Sequence, residues 1–211
     1  MDKWIFVSGG AKSGKSDFVT DACESFKDVE WWGTATEQST DLDWQERLAS
    51  LKSNRNPGWL LFDGPWAWPG QASIGRESAG SPQVFVMDSL NLWLAAQIHR
   101  GMSLYTTSQL KVHLDMEFTQ LLASLNDLKC SVVLISAEVG SGVVPSGEAG
   151  RLFRDLLSTW NRRIVKQSDF GVSMQTGQAF LWPAGRTPLP PEGTVLRCVD
   201  SSHIRRILAG V

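Results

Sequence analysis

The sequence predicts a single α/β domain over residues 1–211, with a mostly parallel sheet flanked by helices. Three observations predict this fold. Short and often continuously apolar segments alternate along the chain with helical patterns, as in sheets covered on both faces. A Gly-rich segment, GGAKSGKS, lies between the first apolar segment and the first helical pattern. Near the end, residues 170–174 and 179–182 flank a Thr-Gly pair, which is typical of an antiparallel hairpin.

In the first half of the chain we expect two strands, two helices and one long loop. The apolar residues 4–7 predict the first strand, and a helix with one apolar face follows the Gly-rich segment. Residues 29–32 predict a short second strand, and residues 41–51 have helical character before a polar turn. The segment 63–82 is rich in Gly, Pro and Ser, so it predicts a loop.

The second half repeats the alternation of strand and helix. Its predicted strands and helices, in order, are strand 84–87, helix 90–98, helix 107–128, strand 131–136 and helix 150–165, before the hairpin. In the tail, residues 195–199 predict an edge strand and residues 201–208 a short helix.

The Gly-rich segment fits the phosphate-loop (P-loop) pattern G-x-x-x-x-G-K-[ST]. Its glycines let successive backbone N–H groups turn toward a phosphate, and the following helix adds the positive end of its dipole. In this pattern the lysine reaches the β- and γ-phosphates, while the serine hydroxyl binds Mg²⁺. A chance Gly-rich turn is the alternative. The predicted nucleoside triphosphate site comprises Gly9, Gly10, Ala11, Lys12, Ser13, Gly14, Lys15 and Ser16.

Acidic and basic residues elsewhere are candidates to complete this site. An acid at the end of a neighbouring strand usually helps to hold the metal, and Asp88 is in that position; the alternative is a helix N-cap. Glu138 also ends a strand, either facing the same crevice or as a surface acid. Arg151 and Arg154 are candidates for stabilising phosphate charge, with solvated surface arginines as the alternative.

Composition excludes several classes of partner. The formal charge of −2 and pI near 5.9 provide no general attraction to nucleic acid or anionic membranes. We expect no membrane span and no signal peptide, because no apolar stretch is long enough and the first residues lack the pattern. Three distant cysteines without metal-binding spacing predict reduced core thiols in a cytoplasmic protein.

Four segments resemble, in order, the adenosylcobinamide kinase/adenosylcobinamide-phosphate guanylyltransferase family: GGAKSGKS, WWGTAT, VFVMDSLNLWL and SAEVGSGVVPSGEAGRLFRDLLSTWNRRI. The resemblance covers roughly residues 3–182 and leaves the tail, 183–211, unmatched. It implies a RecA-like P-loop NTPase fold and an enzyme of cobalamin biosynthesis. Such enzymes phosphorylate the corrinoid adenosylcobinamide with ATP or GTP, then transfer GMP from GTP onto that phosphate. The resemblance also implies assembly as trimers, and Thr34 is a further candidate nucleotide contact.

One stretch departs from the family. Its members carry GMP on a histidine within R-I-x-x-H-K-x-x-R, but here Leu51 occupies that position and the first histidine is His99. Leucine has no lone pair, so it cannot form a phosphoramidate. Asp63 is a weaker candidate for the glutamate that helps to bind guanine nucleotide. We therefore predict a corrinoid kinase with guanylyl transfer in doubt. The alternatives are a kinase for another acceptor and a non-catalytic nucleotide-binding protein.

Overall fold

The computed structural model describes residues 2–35, 42–53, 55–65, 83–188 and 196–210. These residues contain eight strands: β1 (Trp4–Gly9), β2 (Val29–Gly33), β3 (Leu60–Asp63), β4 (Val84–Asp88), β5 (Ser131–Ala137), β6 (Phe170–Gln175), β7 (Gln178–Pro183) and β8 (Arg197–Val199). All eight form one sheet in the order β3-β2-β4-β5-β1-β6-β7-β8. Strands β1 to β6 pair in parallel, whereas β7 is antiparallel to β6 and β8. The mostly parallel sheet and the terminal hairpin are confirmed.

The described residues also contain six helices: α1 (Lys15–Cys23), α2 (Leu42–Ser53), α3 (Leu90–Gly101), α4 (Thr107–Asp127), α5 (Glu148–Gln167) and α6 (Ser201–Ala209). Helix α4 begins with a capping box, in which Thr106 and Gln109 each accept a hydrogen bond from the other's backbone N–H. None of the described helices combines the length and apolar character needed to cross a membrane.

The two faces of the sheet have separate cores. In β1, Trp4 and Phe6 pack on one side with α3, α4 and α5, while Ile5 and Val7 pack on the other. Successive residues of a strand point to opposite faces, so a strand covered on both sides is continuously apolar. This explains why the central strands were recognisable as unbroken apolar segments.

The C-terminal tail covers part of the second face. Helix α6 buries Ile204 and Leu208 in the core that also contains Val19 and Ala22 of α1. The Arg205 guanidinium donates hydrogen bonds to the carbonyl oxygens of Asp21 and Ala22, in the last turn of α1. The strand and helix predicted in the tail are confirmed; β8 extends the sheet beside β7, and α6 packs against the helix that follows the P-loop.

Two predictions need correction. Strand β3 was not predicted: it lies between the predicted polar turn and the predicted loop and includes Asp63, the first residue of that loop, while residues 66–82 lie outside the described residues. Strand β3 lies at the edge of the sheet, and its residues are half-buried or exposed although three of them are apolar. Of the predicted core thiols, Cys23 and Cys130 are buried, but Cys198 is exposed because it lies in the short outer strand β8.

Candidate nucleotide site

The P-loop connects β1 to α1 in a conformation that its glycines permit. Gly14 has a φ of 88°, a left-handed conformation that favours glycine. Gly9 lies so close to β6 that an added Cβ would be 2.5 Å from the Met174 carbonyl oxygen. At Gly10, by contrast, an added Cβ would have no neighbour within 4 Å. The first glycine is therefore required by close packing, whereas the second lies at the open mouth of the loop.

Lys15 folds back across the loop. Its Nζ donates hydrogen bonds to the carbonyl oxygens of Gly9, at 3.0 Å, and Gly10, at 2.7 Å, and lies 3.4 Å from the Ser13 hydroxyl. Ser13 is buried, while Ala11 and Lys12 are exposed. The ammonium group therefore lies directly at the loop whose backbone would surround a phosphate.

Ser16 and Asp88 are brought together from distant parts of the sequence. The Ser16 hydroxyl donates a hydrogen bond of 3.1 Å to Asp88 Oδ1. Asp88 ends β4, one strand removed from β1, and its side chain is largely buried. The alternative role as an N-cap of α3 is not observed, because Ser89 occupies that position.

The pair of oxygen ligands fits Mg²⁺. A hydroxyl and a carboxylate are the hard donors that this ion takes, and Mg²⁺ usually completes its shell with water and substrate phosphates. Across the residues that the structure describes, no group of three or more His, Cys, Asp or Glu side chains could hold a metal ion. Ser16 and Asp88 therefore suit a cation that arrives with a nucleotide.

Thr34 fixes the backbone that carries Asp88. Its hydroxyl donates to the Ser89 carbonyl oxygen at 2.6 Å and accepts from the Ser89 N–H at 2.8 Å. Its own N–H donates to the Asp88 carbonyl oxygen at 2.8 Å. Thr34 is fully buried, so the structure shows it as a support for Asp88. A direct contact with nucleotide stays a prediction.

The other predicted residues lie in different settings. The Glu138 N–H donates to the Gly9 carbonyl oxygen at 3.1 Å, which places this exposed residue beside the P-loop. The Arg151 guanidinium donates to the carbonyl oxygens of Pro145 and Ser146, ahead of α5. Arg154 forms an ion pair of 2.8 Å with the adjacent Asp155. Roles for these three side chains in binding or catalysis stay predictions.

Arg55 is a site residue that the sequence interpretation missed. Its side chain is only 6% exposed and lies 3.3 Å from Asp63 and 3.7 Å from Asp88. The guanidinium also lies over the ring of Trp31, 5.2 Å from its centroid. Asp63, predicted as a guanine contact, also pairs with Lys52 at 3.1 Å. The available signal was the last arginine of the stretch that resembles the family's histidine motif.

Comparison with known proteins identifies the family of this chain. The family model described as cobinamide kinase/cobinamide phosphate guanyltransferase matches residues 5–181. The bifunctional adenosylcobalamin biosynthesis protein CobP of Pseudomonas aeruginosa is 33% identical over 164 residues, covering 77% of this chain and 87% of that protein. CobU of Salmonella typhimurium, which carries the same bifunctional description, is 25% identical over 170 residues, covering 78% of this chain and 91% of the relative. The chain belongs to the cobinamide kinase/cobinamide phosphate guanyltransferase family of cobalamin biosynthesis, and the predicted P-loop NTPase fold is confirmed.

Proposed function

Because the chain belongs to this family, we propose that it is an NTP-dependent kinase that phosphorylates the hydroxyl of adenosylcobinamide in cobalamin biosynthesis. The contact of 3.1 Å between Ser16 and Asp88, beside Lys15 and the P-loop, is the observation that carries this proposal. These are the groups that phosphoryl transfer from a Mg²⁺-bound triphosphate requires.

Each group has a distinct part in the proposed reaction. The P-loop N–H groups bind phosphate oxygens, and Lys15 leaves its carbonyl partners to reach the β- and γ-phosphates. Ser16 and Asp88 hold Mg²⁺, which when bound neutralises charge on the transferring phosphoryl group. Thr34 keeps Asp88 in place through the Ser89 backbone. Phosphoryl transfer proceeds largely by such positioning and charge stabilisation, so it needs no protein nucleophile.

Guanylyl transfer through a covalent protein intermediate is not part of the proposed function. Leu51 lies in α2 at the position where the family motif has its histidine. Its side chain offers no lone pair to attack the α-phosphate of GTP. Any transfer of GMP would therefore need direct attack by the corrinoid phosphate on GTP.

Product analysis separates these activities. Purified protein is incubated with adenosylcobinamide, Mg²⁺ and either ATP or GTP, and phosphorylated and GMP-bearing products are separated. We expect phosphorylated corrinoid, and no acid-labile protein adduct with radiolabelled GTP. Asp88→Asn is expected to abolish the product, whereas Asp127→Asn, an exposed acid of α4, is the matched control.

The same assay contains the contradicting outcomes. No turnover of the corrinoid, together with phosphorylation of another hydroxyl compound, would identify a different acceptor. Binding of nucleotide without any transfer would identify a non-catalytic protein. An acid-labile guanylyl adduct would show that a residue other than Leu51 supplies a nucleophile.

A homotrimer, the absence of a nucleic-acid partner and a cytoplasmic location remain part of the proposal.

A further inference from the structure

A chain of charged groups connects the end of α2 to the P-loop. Lys52 Nζ lies 3.1 Å from Asp63, and Asp63 lies 3.3 Å from the Arg55 guanidinium. Arg55 in turn lies 3.7 Å from Asp88, whose other carboxylate oxygen accepts the hydrogen bond from Ser16. We call this set, from Lys52 to Asp88, the α2 charge network.

The sheet register builds this network around one glycine. Gly33 of β2 pairs with Asp63 of β3 on one side and with Asp88 of β4 on the other. Arg55 lies against this glycine: a Cβ added to Gly33 would lie 3.0 and 3.1 Å from the two guanidinium nitrogens. The absence of a side chain at this position thus makes room for a cation between two acids that lie two strands apart.

Arg55 is held unequally by its two partners. Its distance of 3.3 Å to Asp63 is within reach of a hydrogen bond, whereas 3.7 Å to Asp88 is too long for one. The contact with Asp88 is nevertheless buried, since the two side chains are only 6% and 8% exposed. Charges interact strongly where water is excluded, so the Arg55 cation neutralises the charge of Asp88 without forming a hydrogen bond to it.

A divalent cation at Ser16 and Asp88 changes this balance. The carboxylate would then have a second positive partner, and the cation and the guanidinium would repel each other where little water screens them. Asp63 offers the guanidinium a second anchor, on β3. Lys52 is bound to the same carboxylate, so Asp63 has two positive partners.

We propose that Arg55 is a positioning residue that neutralises Asp88 in the metal-free protein and yields that carboxylate to the divalent cation, while Asp63 retains the guanidinium. Arg55 plays this part only if Ser16 and Asp88 hold the cation, so the proposal rests on the function proposed above. A purely structural Arg55 would stabilise the fold and leave metal affinity unchanged.

The test measures Mn²⁺ affinity by electron paramagnetic resonance, with the full chain saturated by a non-hydrolysable GTP analogue. Arg55→Gln removes the competing cation, so we expect Mn²⁺ to bind about tenfold more tightly. Asp63→Asn removes the second anchor and leaves Arg55 on Asp88, so binding is expected to weaken severalfold. Arg186→Gln is the matched control, because that guanidinium also lies 5.2 Å from a tryptophan ring centroid, at Trp4.

Opposite changes in the two variants support the proposal. Unchanged or weaker Mn²⁺ binding by Arg55→Gln overturns it, as does unchanged or tighter binding by Asp63→Asn. If Arg55→Gln does not fold, Asp63→Asn decides alone.

Asp88→Asn separates this inference from the proposed metal site. Loss of Mn²⁺ binding in Asp88→Asn, with no change in the other variants, overturns only the role of Arg55. Unchanged binding in Asp88→Asn overturns the metal site and the role of Arg55 together.

Discussion

The P-loop region, from β1 through α1, and the α2–β3 region, residues 42–63, meet at Asp88 but are built differently. Strand β1 lies between β5 and β6, and all its residues are buried. Strand β3 lies at the edge of the sheet with half-buried or exposed residues. The first region supplies backbone geometry for a phosphate, whereas the second supplies charged side chains. The P-loop pattern lies where the backbone is most constrained, whereas Leu51, at the position that the resemblance gives to a histidine, lies in the region at the edge of the sheet.

The largest expected effect tests the P-loop region directly. Lys15→Ala removes the ammonium that would stabilise charge on the transferring phosphate, so we expect kcat/KM for corrinoid phosphorylation to fall at least about a hundredfold. The rate of product formation is compared with that of Lys111→Ala, an exposed lysine of α4. Activity of Lys15→Ala within tenfold of that of the unchanged protein would show that the P-loop region does not carry out the phosphoryl transfer.

The next prediction concerns the support that α6 provides. Ile204 is fully buried against α1, so Ile204→Ala leaves a cavity and is expected to lower the free energy of unfolding by about 2–5 kcal/mol. Urea denaturation measures the change, and Arg206→Ala, an exposed position on the same helix, should shift it by less than about 0.5 kcal/mol. If the two variants lowered the free energy of unfolding equally, the buried contact of α6 would not be what stabilises α1.

A smaller effect separates two neighbouring glycines. The Cβ of Gly9→Ala would meet the Met174 backbone at 2.5 Å, and backbone cannot move aside cheaply, so we expect a loss of about 1–3 kcal/mol in unfolding free energy. Gly10→Ala meets no atom within 4 Å and should leave that free energy nearly unchanged. The prediction fails if denaturation curves of the two variants coincide.

The smallest effect tests the α2–β3 region by adding a methyl group next to it, at Gly33 of β2, which pairs with Asp63. The Cβ of Gly33→Ala would lie 2.6 Å from Asp63 Oδ1 and 3.0 Å from an Arg55 guanidinium nitrogen, but these atoms end side chains that can rotate, unlike the Met174 backbone. We therefore expect a loss below about 1 kcal/mol, smaller than that of Gly9→Ala, because relaxation reduces the strain of overpacking. A loss as large as that of Gly9→Ala in the same denaturation experiment would show that the edge region is as rigid as the P-loop.

Local pattern decided which elements could be predicted. Strand β4 was visible as four apolar residues followed by Asp88, because a strand buried on both faces is continuously apolar. Strand β3 was missed although residues 59–62 are also apolar and precede Asp63, because this run lies between a polar turn and the Gly-rich loop and only its pairing with β2 identifies it as a strand. Arg55 was missed for a related reason: an arginine after a helix carries no sign of burial until its partners are known.

By itself, the sequence determined the P-loop and the acid that lies beside it, because eight consecutive residues between a strand and a helix define the loop and a strand end defines the acid. It also determined that no histidine occupies position 51. Only the tertiary structure decided that Arg55 lies between Asp63 and Asp88. Those residues meet because β3, β2 and β4 align in register at Gly33. No single segment of the sequence specifies the register between separate strands.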